Sequence, residues 1–365
     1  MDMTEQKNDF GVGSVEQNII RMAVPMTVAQ ILNLLYNLVD RMYIGHIPGA
    51  SSLALTGVGI TFPIISMITA FANLFGMGGA PLCSMARGRR DYDAAKRYMQ
   101  NAFWMLLAAG VVLTVTGYVI EKPLLYALGA SSVTYSYASS YLRIYLLGNM
   151  FVMVGIGMNP FINAQGFGTM GMVTVGLGAL VNIILDPLFI FVFHMGVEGA
   201  AIATIIAQFL SALWVLFFLT GEKPDLRLKI CWRKPEFTVV KEIVSLGLSN
   251  FFMLFTNSLV QVVCNRQLQL YGGDLYVGVM TVLISVRDVA TMVVNGITSG
   301  AQPVISFNYG AQKKDRVKQG IRFMVTICII YTCLMWIMTL TFPEAFIRLF
   351  NSCLLYTSDA ADDRI

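Results

Sequence analysis

Four oxygen-bearing side chains fall in otherwise apolar stretches, where an ionisable group is costly: Asp40, Asn182, Asp186 and Thr204. Charges in a hydrocarbon environment are retained mainly for ion, proton or substrate pathways. Asp186 sits in VNIILDPLFIF with Asn182 four residues earlier, so the two side chains share one helical face. Pro187 follows and lacks an N–H, which predicts a bend and a bared carbonyl. Thr204 is the polar member of GVEGAAIATIIAQ, whose small residues permit close helix approach. Asp40 lies near the far end of the first helix, where Pro25 predicts a kink. Carboxylate, amide and hydroxyl oxygens are hard ligands, so the set is a candidate Na+ site. Two neighbouring carboxyl groups in a low dielectric equally make a proton carrier. An Asn or Thr taken alone also reads as a polar staple between helices. Arg41, beside Asp40, offers a neutralising charge that would weaken the carrier reading.

A second tier of polar residues could line a cavity: Gln30, Asn33 and Asn37 on the first helix, and Arg287 with Asp288. The last two are adjacent, do not face each other on a helix, and are expected to pair elsewhere. Arg143 reads as a structural anchor and Arg266 as a snorkelling residue. The 22 Met, 23 Phe and 15 Tyr suit a promiscuous apolar pocket. No nucleophile–base pair, phosphate loop or dinucleotide fingerprint is found, so no enzyme and no organic cofactor is expected. With His46 and His194 the only histidines, a multi-histidine metal site is excluded. Of the six cysteines, Cys83, Cys264, Cys328 and Cys333 lie in apolar runs and read as small hydrophobes. No C-x-x-C pair occurs.

The elements that hold these residues must be membrane helices. The chain has 365 residues, 56% hydrophobic and 13% charged, with a mean hydropathy of +0.67. Soluble domains carry about a quarter charged residues. Nine stretches reach the roughly 20 apolar residues that a spanning helix needs: 20–44, 53–82, 99–120, 136–160, 168–193, 199–220, 243–264, 276–303 and 322–342. They lack the strict alternation of barrel strands. The loops 85–98, 221–242 and 307–322 hold nearly all the loop Lys and Arg, and all lie on the side of the N-terminus. That side is therefore expected to be cytoplasmic. The basic loops read as topology signals, and no nucleic-acid partner is expected.

The chain also repeats itself. GAPLCSMARG at 79–88 aligns with AQPVISFNYG at 301–310, placing Pro81, Ser84 and Gly88 against Pro303, Ser306 and Gly310. Both copies end a helix on the cytoplasmic side, so the repeat is parallel, as in many secondary transporters. The fold class that follows is an all-α, polytopic membrane helix bundle of two pseudo-symmetric lobes. The expected units are an N-lobe at 17–220, a cytoplasmic linker at 221–242 and a partial C-lobe at 243–351. The first holds six helices and the last only three. The run SCLLYTSDAADDRI from residue 352 to 365 breaks the pattern, looks like a translated sequencing-adapter sequence, and is expected to be non-native.

Several of these motifs together resemble the multidrug and toxic compound extrusion (MATE) family, over residues 17 to 351. The first helix with Pro25, Gln30 and Asp40, then Gly45 and LALTGVG, resembles its opening. NIILDPLFIF followed by GAAIAT resembles its fifth and sixth helices, and QPVISFNYGAQ the end of its eighth. The nearest likeness is to the bacterial branch of MepA- and DinF-type proteins. The resemblance implies twelve helices in two six-helix lobes around a central cavity, in a bacterial cytoplasmic membrane. It implies export of bulky, often cationic drugs in exchange for Na+ or H+, with Asp40, Asn182, Asp186 and Thr204 as the cation site. The partners expected are drug-like small molecules and membrane lipids, and the protein is expected to be a monomer. Competing readings are a flippase for lipid-linked precursors, which would need a basic cavity, a channel, and a fragment too short to transport.

Overall fold

A computed structural model describes residues 9–47, 51–230 and 235–342, and these are helical throughout apart from short connections. The α-helices are α1 (Val15–Gly45), α2 (Ser51–Gly88), α3 (Tyr92–Ala127), α4 (Thr134–Leu147), α5 (Asn149–Ala164), α6 (Gly168–Pro187), α7 (Gly196–Thr220), α8 (Phe237–Gly310) and α9 (Lys314–Thr341). Seven described helices are long and apolar enough to cross a membrane, or eight if the bent pair α4–α5 is one span. The expected tail 352–365, Cys231 and Cys353 lie outside the described residues, as do the side chains of Arg41 and Arg266.

Three expected spans take a different form. The predicted helix 136–160 is divided at Gly148, where α4 and α5 meet at a 59° bend. Glycine weakens the helix locally. Asn149 then donates to Gly110 O at 3.0 Å and Thr114 Oγ1 at 3.0 Å on α3, which holds the bend. The predicted helices 243–264 and 276–303 are joined in the 74-residue α8 without a break in helical assignment. The intervening NRQLQLYGGDL has no proline and is rich in helix formers. The chain nevertheless reverses within α8. Gly247 lies against Leu74 of α2, whereas Gly296 lies against Thr27 of α1. A straight helix would separate those two glycines by on the order of 70 Å, more than twice the hydrocarbon thickness of a bilayer. Two antiparallel legs therefore pack on α2 and α1.

The two lobes meet at one end of the bundle through backbone. A Cβ on Gly88 would lie 2.0 Å from Phe307 O, and one on Gly310 would lie 2.0 Å from Met85 O. Residues 85 and 88 and residues 307 and 310 are separated by one constant offset, so the contact is reciprocal. The helix ends match as well. Arg90 (φ 62°) and Gln312 (φ 59°) both turn left-handed. Asp91 N donates to Ala86 O at 2.9 Å, and Lys313 N to Asn308 O at 3.0 Å. These are equivalent C-terminal caps in the two halves. The sequence repeat is thus a repeat of backbone geometry about a pseudo-two-fold axis.

The main core fills the first lobe, with Met99, Leu106, Leu142, Met153 and Phe161 fully buried. A smaller cluster of Phe10, Val15, Ile19, Met22, Ala301 and Val304 joins the first lobe to α8. Cys83 belongs to the main core, and Cys264, Cys328 and Cys333 are unbridged.

The crossing at Gly88 should tolerate no side chain. Gly88→Ala is expected to lower stability in detergent by roughly 1–3 kcal/mol, the usual cost of overpacking. Gly59→Ala is the control, since a Cβ there meets nothing within 4 Å. Thermal unfolding of both variants checks the difference.

Candidate functional site

Four helices bring side chains to one point, three of them supplying a pair one helical turn apart. α6 supplies Asn182 and Asp186, both fully buried. α1 supplies Tyr36 and Asp40, the latter buried. α4 supplies Tyr141 and Tyr145, whose rings stack at 6.2 Å and 16°. α7 supplies Thr204, also buried. Asn182 Nδ2 donates to Asp186 Oδ1 at 3.2 Å and to Thr204 Oγ1 at 3.4 Å. The carboxyl groups of Asp40 and Asp186 lie within hydrogen-bonding reach of each other. The phenols of Tyr36 and Tyr141 both reach the Thr204 hydroxyl. The structure therefore brings together Asp40, Asn182, Asp186 and Thr204, and adds three tyrosines to them.

Local sequence explains the aim of the α6 pair. Pro187 is the last residue of α6, and the helix widens there into a π-helical turn, Leu188–Val192. Phe193 N reaches back to Leu188 O at 3.0 Å. The proline removes an amide donor, and the wider turn accommodates the mismatch. α1, by contrast, runs through Pro25 as one helix.

Asn182 Oδ1 and Asp186 Oδ2 are buried with no hydrogen-bond partner. Buried acceptors are nearly always satisfied, so such atoms mark a place for a donor or a cation. The available donors are carboxyl, amide and hydroxyl oxygens, the set preferred by small hard cations. No cluster of three or more His, Cys, Asp or Glu occurs among the described residues.

Beside this cluster lies a cavity of about 370 Å³. Tyr36 lines it, so one side chain belongs to both. Gln30 and Asn33 line it as well, together with Asn73, Asn159, Asn163, Gln208 and Gln302. Met26 and Met77 supply soft apolar surface. The expected apolar pocket is thus one with seven amide side chains set into a mainly apolar wall, and no Lys, Arg, Asp or Glu is among its described lining residues.

Other candidates lie elsewhere. Asn37 is exposed and donates to the cavity-lining Asn33, at 2.7 Å to its O and 2.6 Å to its Oδ1, but is not itself among the described lining residues. Arg287 and Asp288, expected to pair elsewhere, bind each other at 3.0 Å with both side chains well exposed. The arginine is long enough to fold back onto its neighbour, which spacing along a helix face does not exclude. They do not line the cavity. Arg143 does anchor: its Nε donates at 2.8 Å to the buried Glu121, a residue the apolar-run reading passes over. The three tyrosines were also missed. Their signal is the spacing of four that links Tyr36 to Asp40 and Tyr141 to Tyr145.

Long apolar helices around a closed oxygen cluster and a polar cavity define a multi-pass membrane protein of the transporter class. The MatE family profile matches residues 25–188 and 250–353, and the chain belongs to that family. It is 27% identical over 351 residues to the multidrug export protein MepA of Staphylococcus haemolyticus, covering 95% of this chain and 76% of that protein. It is 26% identical to MepA of Staphylococcus aureus, covering 90% of this chain and 74% of that one. Its fold is similar to that of a MATE transporter crystallised with the compound MaL6, with a TM-score of 0.88 at 23% identity over 98% of this chain and 79% of that one. It is similar as well to a multidrug resistance MATE transporter in an outward-facing conformation, with a TM-score of 0.85 at 24% identity over 95% and 77% of the two chains.

Asn182 is the shared donor of the cluster. Asn182→Ala should leave two buried acceptors without it and cost roughly 1–3 kcal/mol. Asn33→Ala, at an exposed position, should stay within about 0.5 kcal/mol. Unfolding in detergent distinguishes the two.

Proposed function

We propose that the protein is a cation-coupled antiporter, exporting bulky and often cationic drugs in exchange for Na+ or H+. The observation that carries this reading is the pair of unpartnered buried oxygens, Asn182 Oδ1 and Asp186 Oδ2, beside the carboxyl of Asp40. Two carboxylates in contact and away from water repel strongly. A cation between them removes that repulsion and satisfies the vacant acceptors. Tyr36 gives the cation a route of influence. It sits one turn from Asp40 and lines the cavity, so a change at the carboxylates can move a cavity wall. Coupling requires such a differential effect of one ligand on the binding of the other.

The cavity suits the cargo proposed. Amide carbonyls and the Tyr36 ring attract a delocalised organic cation without fixing its geometry. A flippase for anionic lipid-linked precursors would call for basic residues, and the described cavity wall carries none. The multidrug export activity named for the MepA relatives points the same way. The basic-loop end faces the cytoplasm of a bacterial inner membrane in this proposal.

The test is efflux of a fluorescent organic cation from vesicles, under an imposed Na+ gradient and separately under a pH gradient. One gradient should drive efflux, and Asp186→Asn should reduce it to background while the protein still reaches the membrane. Undiminished efflux by Asp186→Asn would overturn the reading.

A further inference from the structure

The residues that precede α1 do something the sequence reading did not anticipate. Asp9–Ser14 leaves the first lobe and lies across the end of the second. Phe10 is fully buried there, edge-on to Phe307 of α8 at 5.9 Å and 84°. Asp9 O accepts from Val12 N at 3.3 Å and Val12 O from Asn18 Nδ2 of α1 at 3.0 Å, and the second lobe supplies the partners of three further strap carbonyls. Phe10 O accepts from Asn308 Nδ2 at 3.1 Å and from Arg316 Nη2 at 3.0 Å. Gly13 O accepts from Arg316 Nη1 at 2.8 Å, and Gly11 O from Lys313 Nζ at 2.9 Å. Arg316 Nε completes the fork on Asn308 Oδ1 at 2.9 Å. One guanidinium thus ties two strap carbonyls to the end of α8, a geometry that lysine does not reproduce.

The ring that Phe10 covers is the node where the lobes meet. Phe307 O is the atom that abuts Gly88. The Phe307 ring carries the guanidinium of Arg87 at 5.8 Å. Arg87 is buried and bound to Asp225 of the inter-lobe segment at 2.8 Å, and its Nη1 donates to Ala164 O at 2.7 Å. Ser84 Oγ bridges to Pro303 O at 3.0 Å. Ala164 and Pro303 also line the cavity. The layer made by Ser84, Arg87 and Phe307 is therefore the floor of the cavity at the basic-loop end, and the strap lies on its outer side.

We infer that the strap Asp9–Ser14, held by Arg316, is the latch of this floor, and that it must release Phe307 before the cavity can open toward the basic loops. The inference rests on the transport reading for its purpose, not for its geometry. Opening that end requires Gly88 to part from Gly310. Phe10 and Arg316 oppose that motion because they join the chain leading into α1 to the ends of α8 and α9. Without them the state open at the basic end is less disfavoured, and its population rises.

The experiment uses the full-length protein in inside-out vesicles, with native cysteines replaced and Ala80→Cys as a reporter on the cavity wall. A membrane-impermeant maleimide is added at the basic-loop face. Phe10→Ala and Arg316→Gln should each raise the labelling rate about tenfold. Unchanged rates in both variants, with melting temperatures held, would overturn the latch. A second arm covers the case of misfolding. Gln319 Nε2 donates to Glu16 Oε1 across the same junction. Glu16→Cys with Gln319→Cys, joined by a reducible bis-thiosulfonate in a background without the reporter, should stop efflux, and reductant should restore it. Transport at the full rate while cross-linked would contradict the proposal. Faster labelling in variants of a protein that shows no efflux under either gradient would uphold the latch and remove the antiporter reading instead.

Discussion

Two carboxyl groups share one closed space at the junction of α1 and α6, and the rest of the molecule is arranged around that constraint. In an apolar bundle their repulsion has no bulk water to screen it. The described surroundings answer with amide, hydroxyl and phenol groups. Asn182 donates to one carboxylate, Thr204 takes the second hydrogen of the same amide, and Tyr36 and Tyr141 close on Thr204. Asp186 Oδ2 and Asn182 Oδ1 are left as buried acceptors without a hydrogen-bond partner, and these are the atoms on which the proposed cation coupling rests.

The same constraint explains why the cavity and the cluster adjoin without merging. The cavity wall is mainly apolar with amide side chains set into it, and Tyr36 belongs to both cavity and cluster. In the proposed antiporter, a cargo cation and a coupling cation would compete through the position of α1 rather than for the same oxygens. Such competition is a coupling free energy, and it acts in both directions. The reciprocal glycine crossing of α2 and α8 gives the two lobes a tight backbone contact at one end of this cavity. Packed backbone contacts of this kind favour discrete arrangements over gradual deformation.

Much of the site was legible because helix periodicity is strict. Asn182 and Asp186 had to share a face, and Pro187 had to disturb the helix after them. Ionisable residues in apolar runs stand out against their surroundings, which made Asp40 and Asp186 visible. The repeat was legible from Pro81, Ser84 and Gly88, since those residues are demanded by backbone contacts rather than by side-chain chemistry. What periodicity does not carry was missed. Tyr36, Tyr141 and Tyr145 look like ordinary membrane-helix aromatics until three helices converge on them. Arg287 and Asp288 pair as neighbours because a long side chain can turn back. The division at Gly148 depends on Asn149 finding acceptors on α3, a tertiary event. The strap carries no signal in the local sequence because its partners, Phe307 and Arg316, lie some three hundred residues away.

The most direct measurement of the central claim is binding, without transport. Affinity of the purified protein for a fluorescent organic cation would be recorded while Na+ concentration and pH are varied separately. The account predicts that one of the two ions weakens drug binding, and that Asp40→Asn makes the affinity independent of that ion. Drug affinity that ignores both ions in the unsubstituted protein would contradict it.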